Sequence, residues 1–181
     1  WDFIYHSVKK LDVVQPKVLN LFAYTGAATL AAKVAGADII HLDSIKQVIT
    51  WAKENMTLSG LDNIRWLVED AMTFVKREVK RGKKYQGIIL DPPAYGHGPN
   101  GENWKLEDEI NEMLANVRLL LEENHFLVLN TYSLGFSSII LDNLLDEHFS
   151  KNIKRQTGEI FLQSTAGARL PLGVFARHCT V

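Results

Sequence analysis

The chain has 181 residues, a hydrophobic fraction of 46% and a formal net charge of −1. These values favour one compact domain over residues 1–181 and exclude a whole-molecule field that would attract nucleic acid. The single cysteine, Cys179, excludes an internal disulfide and a cysteine-based zinc site within one chain, and suits a reducing cytoplasm. No apolar run reaches the length of a membrane span and the histidines lack ligand spacing, so we expect no membrane partner and no metal. The opening at Trp1, without a methionine, is compatible with a trimmed chain that lacks an N-terminal domain.

Helix-like and strand-like apolar patterns alternate along the chain. In chain order the sequence predicts a helix over 1–11, a strand over 17–22, a helix over 27–35, a strand over 38–42, a helix over 44–59, a strand over 63–68, a helix over 70–79, a strand over 85–90, a loop over 92–104, a helix over 106–122, a strand over 126–130, a helix over 137–149, and strands over 154–162 and 173–178. Strands separated by helices predict a mainly parallel sheet, and the last two strands predict an antiparallel edge hairpin. The fold is therefore predicted to be a doubly wound, Rossmann-like α/β domain with seven strands.

Small or acidic residues follow the first three predicted strands. Asp43 follows the second strand, where an acid can accept hydrogen bonds from ribose hydroxyls in such folds. Asp43 and Ser44 also compete to cap the next helix. Asp70 follows the third strand, where it either meets an adenine amino group or, as favoured when it is read alone, caps the next helix. After the first strand comes a turn that either admits a ligand to the backbone or is only a tight turn, formed by Ala23, Tyr24, Thr25, Gly26 and Ala27.

The fourth predicted strand ends in Asp91, Pro92 and Pro93, which is an unusual sequence for a purely structural position. Proline lacks an N–H and fixes φ, so this backbone is stiff and its carbonyls point outward. The carboxyl ends of parallel strands meet at one edge of a sheet, where ligands bind. The glycine and the acids of all four strand ends are therefore predicted to line one ligand site, which independent helix caps would not explain.

The strand-end segments 20–28, 70–71 and 91–93, together with Asp43, resemble motifs one to four of the class I S-adenosylmethionine-dependent methyltransferases. The resemblance covers nearly the whole chain and is sharpest in Asn20-Leu21-Phe22-Ala23-Tyr24-Thr25-Gly26, Trp51-Ala52-Lys53-Glu54-Asn55 and Asp91-Pro92-Pro93-Ala94-Tyr95-Gly96. These three stretches resemble the bacterial large-subunit ribosomal RNA methyltransferase subfamily. The resemblance implies an enzyme that uses S-adenosyl-L-methionine to methylate RNA, in particular ribosomal RNA.

The resemblance also implies which residues hold the cofactor. The turn from Ala23 to Ala27 would hold its methionine part, Asp43 with the neighbouring Ser44 its ribose, and Asp70 with Ala71 its adenine. The charges agree with this assignment, because carboxylates attract a sulfonium cation and would repel a diphosphate.

By the same resemblance, Asp91 and the Pro92 carbonyl face the point of methyl transfer, where they suit an amino or ring nitrogen. Relatives that methylate carbon 5 of cytosine attack it with a cysteine thiolate. No cysteine follows the fourth or the fifth predicted strand, so nitrogen chemistry is favoured. Amino-methylating relatives place an aromatic residue directly after the prolines, to stack on a flipped base. Here Ala94 takes that position, and the following Tyr95 either stacks on the base or packs in the loop.

The remaining signals leave alternatives open. The glycine-rich segment from Tyr95 to Trp104 is either a mobile lid or a surface loop in which Trp104 anchors the next helix, the second being favoured for Trp104. The basic cluster over 76–84 leads to the wrong edge of the sheet for RNA, whereas Arg169 reaches the site only if the last hairpin folds back. Two rival functions are a nicotinamide-dependent oxidoreductase, against which the missing glycines argue, and a non-catalytic RNA-binding protein.

Overall fold

A computed structural model of the chain describes residues 1–133 and 135–181. Over these residues helices and strands alternate as the apolar pattern predicts. The elements are α1 (Asp2–Lys10), β1 (Lys17–Leu21), α2 (Ala27–Val34), β2 (Asp38–Asp43), α3 (Lys46–Leu58), β3 (Arg65–Val68), α4 (Ala71–Lys80), β4 (Tyr85–Leu90), β5 (Tyr95–His97), β6 (Asn103–Lys105), α5 (Leu106–Leu120), β7 (Leu121–Thr131), α6 (Ser138–His148), β8 (Arg155–Gln163) and β9 (Arg169–Cys179).

Seven strands form one sheet in the order β3-β2-β1-β4-β7-β9-β8. Neighbours from β3 to β7 are parallel, β9 runs antiparallel to β7, and β8 pairs antiparallel with β9. The predicted doubly wound sheet and its C-terminal edge hairpin are therefore confirmed. The strand order reverses between β1 and β4, so the chain leaves these two neighbours toward opposite faces and opens a crevice at their carboxyl ends.

Helices cover both faces of the sheet, which explains why its central strands are apolar runs without alternation. Leu19 of β1 and Ile88 of β4 face the core formed with α4, α5 and α6. Val18 of β1 and Ile89 of β4, one residue away, face the core formed with α1 and α2. Successive side chains of a strand point to opposite faces, so each central strand supplies both cores. No helix in the described part of the chain is both long and apolar enough to cross a bilayer.

Several predicted elements differ from the structure. The segment predicted as a loop contains the antiparallel pair β5–β6, whose three-residue strands are too short to show a period. Helix α3 begins at Lys46 rather than Ser44, because the chain stays extended through Ile45 while the Asp43 carboxylate accepts the Ile45 N–H. Neither Asp43 nor Ser44 therefore caps α3. Strand β7 begins at Leu121, across a register shift against β4, and β9 begins at Arg169.

Candidate active site

The chain turns sharply where β1 ends. Phe22 and Tyr24 have φ values of 56° and 47°, in the left-handed region that side chains other than glycine seldom adopt. Gly26 has a φ of 91° and immediately precedes α2. A Cβ atom on Gly26 would lie 3.3 Å from the Cβ of Ala52 in α3, so glycine lets the turn and α3 approach closely. Three positive φ values in five residues identify this turn as a functional candidate.

Hydrogen bonds from neighbouring elements fix that turn. The Asp43 carboxylate at the end of β2 accepts the Tyr24 N–H at 2.9 Å and the Ile45 N–H at 3.0 Å. The Asn55 side chain of α3 donates to the Thr25 carbonyl at 2.9 Å. Each oxygen of Asp43 keeps a second lone pair, so the carboxylate can still accept hydrogen bonds from a ligand.

Three buried polar side chains, joined by hydrogen bonds, lie next to the turn. The Asn20 amide donates to the Thr29 hydroxyl at 2.8 Å, and that hydroxyl lies 2.9 Å from Nδ1 of His41. Burial lowers the pKa of His41 to about 4, so its imidazole is neutral at neutral pH. All three residues are at most 1% exposed, which fits a structural role beneath the ligand site.

Asp70 is both a helix cap and a cavity residue. Its Oδ1 accepts the Thr73 N–H at 2.7 Å, which confirms the predicted cap of α4. Asp70 and the following Ala71 are buried against the protein while part of each lines a cavity. The neighbouring Glu69 lines the same cavity and forms a bidentate ion pair with Arg77.

The β5–β6 hairpin fixes the loop after β4. The Trp104 indole donates to the Pro93 carbonyl at 2.8 Å, and the Leu106 N–H donates to the Ala94 carbonyl at 3.0 Å. Trp104 is 4% exposed, and its ring lies 4.8 Å from that of Phe22. Trp104 is therefore a buried packing residue, and its indole joins the proline motif to the turn after β1.

Asp91 faces open space at the sheet edge, where solvent reaches it through a concave mouth. The protein atoms around its carboxyl still desolvate it in part, which raises the pKa of Asp91 from 3.8 to about 6. At pH 7 the carboxyl is mostly ionised and accepts hydrogen bonds, and its pKa is close enough to neutrality for proton transfer. Pro92 is buried, and its carbonyl accepts no hydrogen bond from the described residues.

A cavity of about 470 Å³, here named the first cavity, joins the ends of β1, β2, β3 and β4. Four carboxylates line it, and no lysine or arginine of the described residues does. This volume falls within the usual range for small-molecule sites. The structure thereby brings together these predicted site residues: Tyr24, Asp43, Ser44, Asp70, Ala71, Asp91 and Tyr95.

A second cavity of about 700 Å³ lies on the α1 side of the same edge. It shares Tyr24 and Asp91 with the first cavity, so the two meet at Asp91. Pro92 lines neither cavity. The other predicted turn residues line the second cavity: Ala23, Thr25, Gly26 and Ala27.

Sequence reasoning missed other residues of the site. Tyr132, 56% exposed, lines the first cavity just beyond β7, and burial with the charges of Asp91 and Asp43 raises the pKa of its phenol. Its position after a parallel strand was a usable signal, because the other site residues follow the same rule. Phe22 and Asn55 lie in stretches that carry the family resemblance, but their roles depend on contacts between distant segments, which a sequence pattern does not show.

Tyr95 belongs to the site, whereas the other candidates lie outside it. Tyr95 is 68% exposed on the first cavity, so its side chain does not pack into the loop core. Arg169 stacks over Phe161 at 4.6 Å but lines neither cavity. Lys84 of the basic cluster donates to the Leu119 carbonyl at 2.8 Å, beside the amino end of β4, as predicted. Cys179 is half-buried in β9, opposite Phe126, and lines neither cavity.

Comparison with known proteins agrees with this geometry. The chain superimposes on the crystal structure of the SAM-dependent methyltransferase from Agrobacterium tumefaciens with a TM-score of 0.94 and 38% identity, over all of this chain and 61% of that one. It is 35% identical over 115 residues, 61% of its length, to ribosomal RNA large subunit methyltransferase K/L of Shewanella frigidimarina, of which it spans 16%. It is 28% identical over 146 residues, 78% of its length, to ribosomal RNA large subunit methyltransferase K of Neisseria meningitidis, of which it spans 40%.

The chain thus spans less than two thirds of each of these relatives. The likenesses confirm both the Rossmann-like fold and the predicted resemblance to the class I S-adenosylmethionine-dependent methyltransferases. Residues 4–148, most of the chain, match the family described as conserved hypothetical protein 95, and the chain belongs to that family.

Proposed function

We propose that this chain is an S-adenosyl-L-methionine-dependent methyltransferase that acts on RNA, and on ribosomal RNA in particular. The observation that carries the proposal is the first cavity, which joins four strand ends with four carboxylates and, among the described residues, no lysine or arginine. Such a site favours a sulfonium cation and repels the diphosphate of a nicotinamide cofactor. The names of the Agrobacterium protein and of the large-subunit relatives support the activity and the RNA substrate.

The predicted cofactor residues keep their assignments in this proposal. The turn from Ala23 to Ala27 holds the methionine part, with its backbone positioned by Asp43 and Asn55. Asp43 accepts the ribose hydroxyls through its remaining lone pairs, with Ser44 beside it. The segment of Asp70 and Ala71 meets the adenine, and the cap that Asp70 makes to Thr73 fixes the orientation of its carboxylate.

When bound, the cofactor supplies an electrophilic methyl group on a positively charged sulfur. Asp91 and the Pro92 carbonyl accept hydrogen bonds from the acceptor nitrogen and align its lone pair with that methyl group. Asp91 would take the proton that the nitrogen loses on methylation, for which its raised pKa suits it. Tyr95, exposed on the cavity, stacks on the acceptor base.

The acceptor atom is proposed to be a nitrogen rather than carbon 5 of cytosine. Attack at carbon 5 requires a thiolate beside the methyl-transfer point. The single cysteine lies in β9 and lines neither cavity. The proposal treats residues 1–181 as one methyltransferase domain and includes a cytoplasmic location, where ribosomal RNA is available.

Transfer of radiolabel from the cofactor to unmodified ribosomal RNA tests the proposal. We expect labelled RNA whose modified nucleoside carries the methyl group on nitrogen, as mass spectrometry of the digested RNA would show. Label found only in protein or small molecules would overturn the RNA assignment. A thermal shift with NAD and none with S-adenosyl-L-methionine would instead favour the oxidoreductase.

A further inference from the structure

We propose that the part of the second cavity between α1 and the final hairpin binds the acceptor strand of the RNA, with Arg177 contacting a backbone phosphate. The part lined by the turn from Ala23 to Ala27 holds the methionine part of the cofactor, as proposed above. This inference rests on the proposed function, because it assigns the substrate part of the same site. The first cavity carries the groups that match a nucleoside cofactor, namely Asp43 and Asp70. The second cavity meets it at Asp91. A nucleotide seated in the second cavity therefore brings its base to the point of methyl transfer.

Arg177 is the only lysine or arginine of the described residues that lines the second cavity. Its guanidinium lies 4.6 Å from the ring of Phe3 in α1 and 4.9 Å from the ring of Phe175 in β9. Its Nε donates to the Gln156 side chain at 2.9 Å. The described residues offer it no ion pair, so a held and partly exposed cation faces the cavity without an anionic partner. A phosphate supplies the missing charge, and its oxygens suit the planar donors of arginine.

The rest of the cavity wall suits bases. Phe161, 42% exposed, and Phe175 line it on the hairpin side, and Phe3 lines it on the helix side. Asn130, at the end of β7 and between Asp91 and the hairpin, offers an amide to the edge of a base. Aromatic rings beside a cation are the usual features of single-strand nucleic-acid sites, because bases stack while the backbone is neutralised. A single-stranded segment of RNA is therefore the occupant that fits.

The test measures RNA binding by the full chain saturated with S-adenosylhomocysteine, the demethylated product. The probe is a short fluorescein-labelled single-stranded RNA, followed by fluorescence anisotropy over a range of salt concentrations. Arg177→Gln is expected to weaken binding on the order of tenfold, the value of a lost charge-assisted hydrogen bond. It should also lower the slope of log affinity against log salt by about 0.7, the contribution of one phosphate on a single strand. Arg177→Lys should restore most of both.

Arg118→Gln is the matched control. Arg118 is an exposed arginine in the last turn of α5 and lines neither cavity. This variant should leave RNA binding unchanged. In methyl transfer, Arg177→Gln should raise the KM for RNA and leave the KM for S-adenosyl-L-methionine unchanged.

Three results would overturn the inference. Equal weakening by both arginine variants would mean a diffuse basic surface. Loss of cofactor affinity without loss of RNA affinity in Arg177→Gln would mean that the cation holds the cofactor's carboxylate. Equal binding of a polyglutamate peptide of matched charge would mean that stacking adds nothing. Failure of the wild-type chain to bind S-adenosyl-L-methionine, by contrast, would overturn the proposed function itself.

Discussion

Two parts of the molecule use burial to shift a pKa, with opposite consequences. At the carboxyl edge of the sheet, burial raises the pKa of Asp91 to about 6, and the carboxyl faces an open cavity. Toward the amino end of β7, burial and the positive charges of His125 and Arg155 lower the pKa of His178 to about 3, and the imidazole is 1% exposed. The two shifts have the same main cause. They differ in whether a ligand can reach the group.

This difference in accessibility distinguishes a residue that can act on a ligand from a residue that is only structural. Nε2 of His178 lies 3.0 Å from Nε2 of His125, whose Nδ1 lies 2.7 Å from the Glu122 carbonyl. The described residues thus satisfy these rings internally, apart from Nδ1 of His178. Asp91 has no hydrogen-bond donor among the described residues and stands between two cavities. A shifted pKa indicates a reactive group when the group is also accessible and unpaired.

The largest expected effect comes from Asp91→Asn. The amide keeps the shape but can neither accept the proton nor carry the charge, so methyl transfer should fall on the order of 10²-fold or more. Cofactor binding, measured by calorimetry, should change by only a few fold, which distinguishes a lost chemical step from a lost site. An unchanged rate of methyl transfer would show that Asp91, like His178, has only a structural role.

Asp43→Ala should have the next largest effect. It removes the acceptor proposed for the ribose and also releases the N–H groups of Tyr24 and Ile45. The Kd for S-adenosyl-L-methionine should rise roughly tenfold to hundredfold. Asp62→Ala, at an exposed position outside both cavities, is the control and should leave the Kd unchanged. Equal affinities for the two variants would exclude Asp43 from the site.

The histidine pair predicts acid sensitivity. Below pH 6.5 the unfolded chain protonates His178, whereas the folded chain resists protonation down to about pH 3. The unfolded state binds more protons in this window, so the free energy of unfolding should fall as the pH falls, by about 1.4 kcal/mol per pH unit for one group. Urea unfolding between pH 7 and pH 5 should show a flatter dependence in His178→Leu. His6→Leu, which removes an exposed imidazole, is the control. Parallel curves for His178→Leu and the wild type would contradict the account.

The smallest expected effect concerns Asp70, which both caps α4 and lines the first cavity. Asp70→Ala should lower the free energy of unfolding by about 1 kcal/mol, because the cap to Thr73 is lost. Asp70→Asn keeps an acceptor for the cap, so urea unfolding should show nearly wild-type stability while calorimetry shows weaker cofactor binding. If both variants bind the cofactor like the wild type, Asp70 is only a cap.

The sequence predicted the parts that depend on periodicity and on strand ends. The seven strands of the main sheet and Asp43, Asp70 and Asp91 follow from apolar runs and from the rule that parallel strands share a carboxyl edge. The β5–β6 hairpin could not be predicted, because it depends on Trp104 reaching the Pro93 carbonyl across eleven residues. The second cavity could not be predicted for the same reason, because it lies between α1, the turn after β1 and the final hairpin, which only the fold brings together.

The most direct test of the central claim is calorimetric titration of the folded, full-length protein with S-adenosyl-L-methionine and with its demethylated product. The account predicts one site for each ligand with a Kd below the millimolar range, because the acidic first cavity is the cofactor site. Absence of binding by both ligands would contradict it.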